Sequence, residues 1–433
     1  MASASRLPLH EQTYSLEHDR FVELLSQTEN LLIIQDLDGV CMGLVNDPLD
    51  RKISADYVTA TQAFDSHFYV LTNGEHVGER GVNSIIERAF EDVAAVREHG
   101  RYLPGLAAGG VQWQTRQGEL SHPGVSEAEL AFLQQVPERI RQCLREFAET
   151  QNLPLDSPTL ERCIQSSALE NVASPTANLN TFHGALAGAH DTYFALQKTV
   201  QSLMDTLLAE AAEQGLGKAF FVHYAPNLGR DEQGQEVIWL SQGDESGTTD
   251  FQFMLRGAIK EAGVLALLNR YYAQRTGTYP LGEDFSVRVA PHNPQALIQL
   301  VQDYFDPTVM PLIVGVGDTV TSKVIAVDGQ QVAKRGGSDR NFLQLVQDMG
   351  RTLGVGNIVT YVDSSGGELK NRRPLTVKQQ QGQPVVVAGP GDPADVDDPL
   401  TLNVVFPGGY QEYCAAFQAA AANRRSSVMS SLL

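Results

Sequence analysis

Cysteine is scarce: the 433 residues contain four, Cys41, Cys143, Cys163 and Cys414. They are far apart and form no Cys-x-x-Cys pair, so neither a thiolate zinc site nor a disulfide framework is indicated, and buried free thiols are expected. Basic residues are also few, 32 Lys and Arg against 52 Asp and Glu, for a formal charge of -20. A surface of that sign repels nucleic acid and anionic membranes at long range, which argues against a polyanionic partner, and it is compatible with exposure to high or changing salt. No apolar run approaches the roughly 18 residues that a membrane helix requires. The first residues lack a basic start followed by an apolar stretch, so a cytoplasmic protein without membrane contact is expected. No internal repeat of fixed period and no low-complexity tract is present.

What the chain does have is length and an ordinary globular composition. It exceeds the size at which one hydrophobic core keeps growing, so two or three domains are expected. Hydrophobic residues make up 42% and charged residues 19%, the balance of a packed protein rather than a disordered one.

In "LLIIQDLDGVCMGL", residues 31–44, a short and uniformly apolar strand runs into Asp36-Leu37-Asp38-Gly39. A strand apolar on both faces belongs in the middle of a parallel sheet, and ligands of open α/β sheets bind beyond the carboxyl ends of the strands. A helix capped by Ser15 is expected ahead of it, over 15–27. The pattern of apolar strand, polar turn and helix recurs at "FYVL" with Thr72-Asn73-Gly74 and a helix over about 78–90. It appears again at "LIVGV" before Asp318 and at "NIVTYVDSS", 357–365, and together these predict a doubly wound parallel, Rossmann-like core.

The middle of the chain reads differently. Ser126 and Glu129 form a capping box opening a helix over 126–150, and residues 184–214 read as one long helix. Next come "FFVHY" and "EVIWL", two strands expected to pair as a hairpin. The expected organisation is a first core part, 1–119, an inserted α+β cap domain, 120–245, and a second core part, 246–433. The second core part should open with a helix over 249–272. An Ala-rich terminal helix follows from propensity.

Two carboxylates two positions apart on an extended strand end point the same way, so Asp36 and Asp38 can serve one site. They could share Mg²⁺, which takes oxygen ligands and is often held by one or two carboxylates plus substrate phosphate. Alternatively one of them could be a nucleophile that forms an aspartyl-phosphate.

Four elements occur in a fixed order: "DLDGV", "LTNG", "IKEAG" and "GVGDTVTS". As an ordered set they resemble the four motifs of the haloacid dehalogenase-like phosphatases. The resemblance implies that Asp36 attacks phosphorus and Asp38 serves as acid and base. It implies that Thr72 and the Asn73 amide hold phosphoryl oxygens and that Lys260 offsets charge. Asp36, the Asp38 carbonyl and Asp318 would hold Mg²⁺. Gly74, Glu75 and His76 complete the expected substrate loop, with Glu75 and His76 reaching the sugar or orienting the loop.

The family usually carries a second acid four or five residues after the last motif's Asp, but residues 322 and 323 are Ser and Lys. If "KVIAVDGQQVAK" is an inserted hairpin turning at Asp328-Gly329, Asp339 becomes the displaced metal ligand. Otherwise Asp339 only caps the next helix. The large insertion after the second motif resembles the cap of the sugar-phosphate branch, which includes sucrose- and trehalose-phosphate phosphatases. Longer strings such as "NVASPTANLNT", "FFVHYAPNLGRDE" and "GTTDFQFMLRG" extend the resemblance to an osmolyte-producing member of that branch over nearly the whole chain. A Mg²⁺-dependent hydrolase of a sugar phosphate in compatible-solute synthesis is therefore implied, with the upstream synthase as a candidate partner. The alternatives are a phosphatase for sucrose or trehalose phosphate, or a non-catalytic regulator of that synthase.

Other features read more plainly. The acidic "GPGDPADVDDP", 389–399, lacks the ligand pattern of an EF-hand and reads as a solvated loop. "GVGDT" lacks the spacing of a dinucleotide fingerprint, so NAD binding is rejected.

Overall fold

The computed structural model describes residues 7–231, 236–327, 330–369 and 372–431. An eight-stranded sheet runs in the order Val404–Phe406, Ile358–Val362, Leu312–Gly317, Leu31–Gln35, Phe68–Leu71, Gly105–Ala107, Gln112–Gln114 and Leu120–Ser121. The first six strands are parallel and the last two turn antiparallel at one edge. The strand Leu31–Gln35 is buried throughout. Leu31 and Ile33 pack into one apolar cluster and Leu32 and Ile34 into another, because successive strand residues face opposite sides of the sheet.

Phe21, Tyr57, Ile85 and Phe417 bring the helices His18–Gln27, Ala55–Thr61, Val82–Phe90 and Gly409–Ser431 onto the first face. Leu267, Leu297 and Phe342 bring Lys260–Thr276, Pro294–Tyr304 and Arg340–Leu353 onto the second. This is the expected doubly wound core.

A second, four-stranded antiparallel sheet has the order Ala168–Leu169, Thr176–Asn178, Asp250–Leu255 and Phe220–Ala225. Phe251 and Phe253 face inward, Phe253 against Phe132 and Phe220 and Phe251 edge-on to Tyr224, while Asp250 and Gln252 occupy the opposite face. The helices Glu127–Leu133, Val136–Gln151 and His190–Glu213 cover the apolar side.

Several local expectations change. Residues 250–255 are a strand rather than the start of a helix: "DFQFML" alternates polar and apolar, the period of a half-buried strand, and the helix begins only at Lys260. The second sheet therefore takes a strand from beyond residue 245. The capping box at Ser126 and Glu129 is present, but its helix ends at Leu133 and a new one starts at Val136, with Pro137 in its first turn. The long helix starts at His190, not 184, because Gly188 at φ +83 interrupts it. Ser15 does not cap the first helix; it bridges to Val404 at the sheet edge. Glu236–Ile238 pairs with Asn227–Arg230 rather than forming a simple hairpin with Phe220–Ala225.

The hairpin Thr321–Val327 with Gln330–Gly336 forms as expected and packs against Asn227–Arg230. Its tip, Asp328-Gly329, lies outside the described residues. The acidic loop is not simply solvated: Asp395 pairs with Arg335 at 2.6 Å, Asp398 with Arg340, and Asp392 accepts the Val324 N–H at 2.9 Å. It straps the hairpin to the core. Cys41, Cys163 and Cys414 are buried and all four cysteines are free.

Candidate active site

The carboxyl ends of three adjacent parallel strands supply the centre. Leu31–Gln35 delivers Asp36, whose N–H continues the ladder to the Val316 carbonyl at 2.9 Å. Leu312–Gly317 delivers Asp318, and Phe68–Leu71 delivers Thr72. Lys260 is the first residue of its helix and Asp339 the residue before the helix Arg340–Leu353. Asp36, Asp318, Asp339 and Lys260 are all at most 5% exposed.

Lys260 Nζ lies 2.9 Å from Asp36 Oδ2 and 2.7 Å from Asp339 Oδ1. Asp339 Oδ2 accepts the backbone N–H groups of Asp318, at 2.9 Å, and Thr319, at 3.0 Å. Its side chain makes no cap hydrogen bond to its own helix. The structure thus brings Asp339 into the site across the inserted hairpin. Two glycines make the close approach possible. A Cβ on Gly39, at φ +78, would stand 2.2 Å from Asp318 Oδ2, and one on Gly317 would stand 2.7 Å from the Asp339 Cβ.

Carboxylate oxygens of Asp36, Asp318 and Asp339 lie within 4.8 Å of one another. Burial and the charges of Asp339 and Asp318 push the Asp36 carboxyl well above its ordinary range, against the pull of Lys260. Burial and Asp339 push Asp318 up to about 7. Burial acts upward on Asp339 too, but Lys260 and the two N–H donors hold it below its ordinary value. Asp36 Oδ1 and Asp318 Oδ2 are buried without a hydrogen-bond partner. Three carboxylates face Lys260 and, 3.9 Å from Asp318, the Arg372 guanidinium. An all-oxygen donor set with unpartnered buried oxygens and an excess of negative charge fits a hard divalent cation such as Mg²⁺.

The Asp38 carboxylate lies outside this group and pairs with Arg51 at 3.0 Å. Thr72 is buried and its Oγ1 accepts the Gly74 N–H at 3.2 Å. A Cβ on Gly74 would lie 3.6 Å from Thr72 Oγ1 and 4.0 Å from Asp38 Oδ2, so the threonine, the turn and the second acid border one space. Asn73, beside them, is half-buried.

Glu75 and His76 are the next two residues of this loop. Both are buried, and their polar atoms are engaged elsewhere. The Glu75 carboxylate binds residues 172–174, and His76 Nε2 meets the Gly105 carbonyl at 3.2 Å while Nδ1 meets Gln114 at 3.3 Å. The irregular, bent run after Gly74 turns Glu75 toward the second sheet and His76 toward the edge strands of the large one.

Sequence reasoning missed Arg51 and, on the polar face of the second sheet, Asp250 and Gln252, which it placed in a helix. There Asn178 donates to Asp250 at 2.8 Å, Gln252 keeps a buried unpartnered Oε1, and His223 meets Glu236 at 2.8 Å. Asp250 is also within electrostatic reach of Arg51. The alternation of "DFQF" was the available signal; no local pattern marks Arg51.

A parallel sheet that gathers a spaced acid pair, a threonine, a lysine and two further acids at its strand ends is the arrangement implied by the resemblance to the haloacid dehalogenase-like phosphatases. The more specific kinship lies in the sequence itself. Residues 30–421 match the glucosylglycerol-phosphate phosphatase family, and the chain belongs to that family. A curated glucosylglycerol-phosphate phosphatase from Synechocystis sp. is 60% identical over 417 residues, covering 96% of this chain and 98% of that protein. Solved structures are more distant. The Candida albicans trehalose-6-phosphate phosphatase C-terminal domain is 8% identical with a TM-score of 0.45, covering 95% of this chain and 99% of that one. An Aspergillus fumigatus trehalose-6-phosphate phosphatase is 10% identical with a TM-score of 0.36 over the same shares.

Proposed function

We propose that this chain hydrolyses glucosylglycerol 3-phosphate to glucosylglycerol and inorganic phosphate, in the cytoplasm, as a step of compatible-solute synthesis under salt stress. The observation that carries the chemistry is the buried cluster of Asp36, Asp318, Asp339 and Lys260 with two unpartnered carboxylate oxygens, in a chain of this family. Asp36, Asp318, Asp339 and the Asp38 carbonyl would hold Mg²⁺, which when bound supplies charge neutralisation for the phosphoryl group.

An Asp36 oxygen attacks phosphorus, the bond from phosphorus to the sugar oxygen breaks, and Asp38 gives that oxygen its proton. Water then attacks the aspartyl-phosphate, Asp38 takes the water's proton, and phosphate leaves with the Asp36 carboxylate restored. Thr72 Oγ1, oriented by the Gly74 N–H, and the Asn73 N–H hold the phosphoryl oxygens, while Lys260 keeps Asp36 oriented and partly neutralised. Residues from about 120 to 258 act as the cap that shields the site from water. Its polar face, with Asn178, Asp250, Gln252 and His223, supplies the donors and acceptors that suit sugar hydroxyls.

The test is phosphate release from glucosylglycerol 3-phosphate, sucrose phosphate and trehalose phosphate with Mg²⁺ present. A preference of about a hundredfold or more for the first is expected, and equal rates on all three overturn the narrow assignment. A lasting association with the upstream synthase belongs to the same proposal and is read by co-purification.

Among the described residues no helix is long and apolar enough to cross a membrane.

A further inference from the structure

Glu75 lies three residues beyond Thr72, is 3% exposed, and forms no ion pair among the described residues. Its carboxylate points into residues 172–174, the segment that enters the strand Thr176–Asn178 of the second sheet. Oε1 accepts the N–H groups of Ala173, at 2.7 Å, and Ser174, at 2.8 Å, and the Ser174 hydroxyl at 3.0 Å. Oε2 accepts the Val172 N–H at 2.8 Å and the Gln112 amide at 3.2 Å. Five donors converge on two oxygens. A carboxylate meets that demand because both of its oxygens accept, whereas the amide of glutamine would set an N–H₂ group against N–H donors.

The same loop is pinned on its other side to the large sheet. The Thr72 carbonyl accepts the Gly109 N–H at 3.0 Å, the Gly74 carbonyl accepts the Ala108 N–H at 2.7 Å, and the His76 N–H binds Gln112 Oε1 at 2.8 Å. Four residues past Ser174, Asn178 holds Asp250 on the polar face. One side chain therefore joins the loop that ends in Thr72-Asn73-Gly74 to the segment that carries the polar face.

We propose that Glu75 is a positioning residue that sets the spacing between the phosphate-holding loop and the polar face of the second sheet, and so selects phosphate monoesters whose polyhydroxylated alcohol spans both. This rests on the functional reading above for Thr72 and for the cap. Glu75 touches neither phosphate nor sugar. It acts through the register in which the two recognition surfaces are held, and a shift of about 1 Å between such surfaces costs up to about a hundredfold in rate.

The experiment compares kcat and KM of the full chain with Mg²⁺ on glucosylglycerol 3-phosphate and on p-nitrophenyl phosphate, whose flat alcohol part does not need the second sheet. For Glu75→Gln, kcat/KM on the sugar phosphate should fall about 30-fold or more, mostly through KM, while the aryl ester stays within about threefold. Ser174→Ala, which removes one of the five bonds, should shift selectivity in the same direction by about threefold, and it decides the question if Glu75→Gln does not fold. Parallel losses on both esters, or no loss on either, overturn the proposal. If the wild type releases phosphate from another sugar phosphate of the panel but not from glucosylglycerol 3-phosphate, the substrate assignment fails by itself. The same comparison on the accepted sugar phosphate then decides the role of Glu75.

Discussion

The acid cluster and the Glu75 junction both hold buried carboxylates at one end of the large sheet, and they handle buried charge in opposite ways. At the junction every oxygen is occupied: five donors saturate Glu75, and nothing remains to bind a solute. At the cluster Asp36 Oδ1 and Asp318 Oδ2 are left without donors, and of the three crowded acids two share one close lysine. A folded protein tolerates an unsatisfied buried acceptor at a cost of about 1–3 kcal/mol. The comparison teaches that burial of a carboxylate does not by itself mark a reactive site; an incomplete set of partners does.

The largest effect expected from breaking this contrast falls on Asp36. Asp36→Asn should lower phosphate release by about 10⁴-fold or more, because it removes the nucleophile. Its melting temperature should be equal to or above the wild type, since the substitution removes a buried carboxyl whose charged form burial and its acidic neighbours already disfavour, while Lys260 keeps Asp339 as partner. Phosphate release and a thermal melt check both halves, and substantial residual turnover would mean that another group attacks phosphorus.

Lys260→Met should come next. Without the ammonium, Asp36 and Asp339 stay buried with no cation between them, and the chain should lose about 3–5 kcal/mol in the presence of a chelator. Added Mg²⁺ should recover part of that loss, as a cation at the three acids replaces the missing charge. Unfolding measured with and without the metal reads this, and an identical loss in both conditions would argue against metal binding there.

The smallest effect belongs to His76, beside the junction. Burial lowers the His76 pKa from 6.5 to about 4, against a carbonyl contact from Gly105. The unfolded chain therefore binds a proton between these values that the folded chain refuses. The contribution is fully present above about pH 6.5 and is lost as pH falls toward 4, amounting to about 1 kcal/mol between pH 7 and 5.5. In chemical denaturation at those two pH values, His76→Gln should show a shallower pH dependence by that amount. An unchanged slope would mean that His76 is not the group that resists protonation.

Much of the large sheet was legible because its strands are short, uniformly apolar and followed by polar turns. Leu31–Gln35 and Phe68–Leu71 fall where the pattern puts them. The second sheet was harder. Asp250–Leu255 reads as helix from sequence because an apolar-rich run directly precedes a true helix, and only pairing with Thr176–Asn178 and Phe220–Ala225 reveals the strand. In the site, Asp36, Asp318, Thr72 and Lys260 could be picked out since each sits in a short ordered motif. Glu75 and His76 belong to the same run of sequence but turn into the interior, a direction that neighbouring letters do not encode. Arg51 is separated from Asp38 by an irregular loop with no signature.

The class of core, the acid pair and the family are written in the sequence, because strand periodicity and short motifs are local properties of the chain. Which acids share one centre is settled by packing. Asp339 reaches Lys260 and the Asp318 N–H across an intervening hairpin, and Glu75 closes on residues nearly a hundred positions away. Both depend on how separate segments are held against one another, and hydrogen bonds and charge across such distances exist only once the chain has packed.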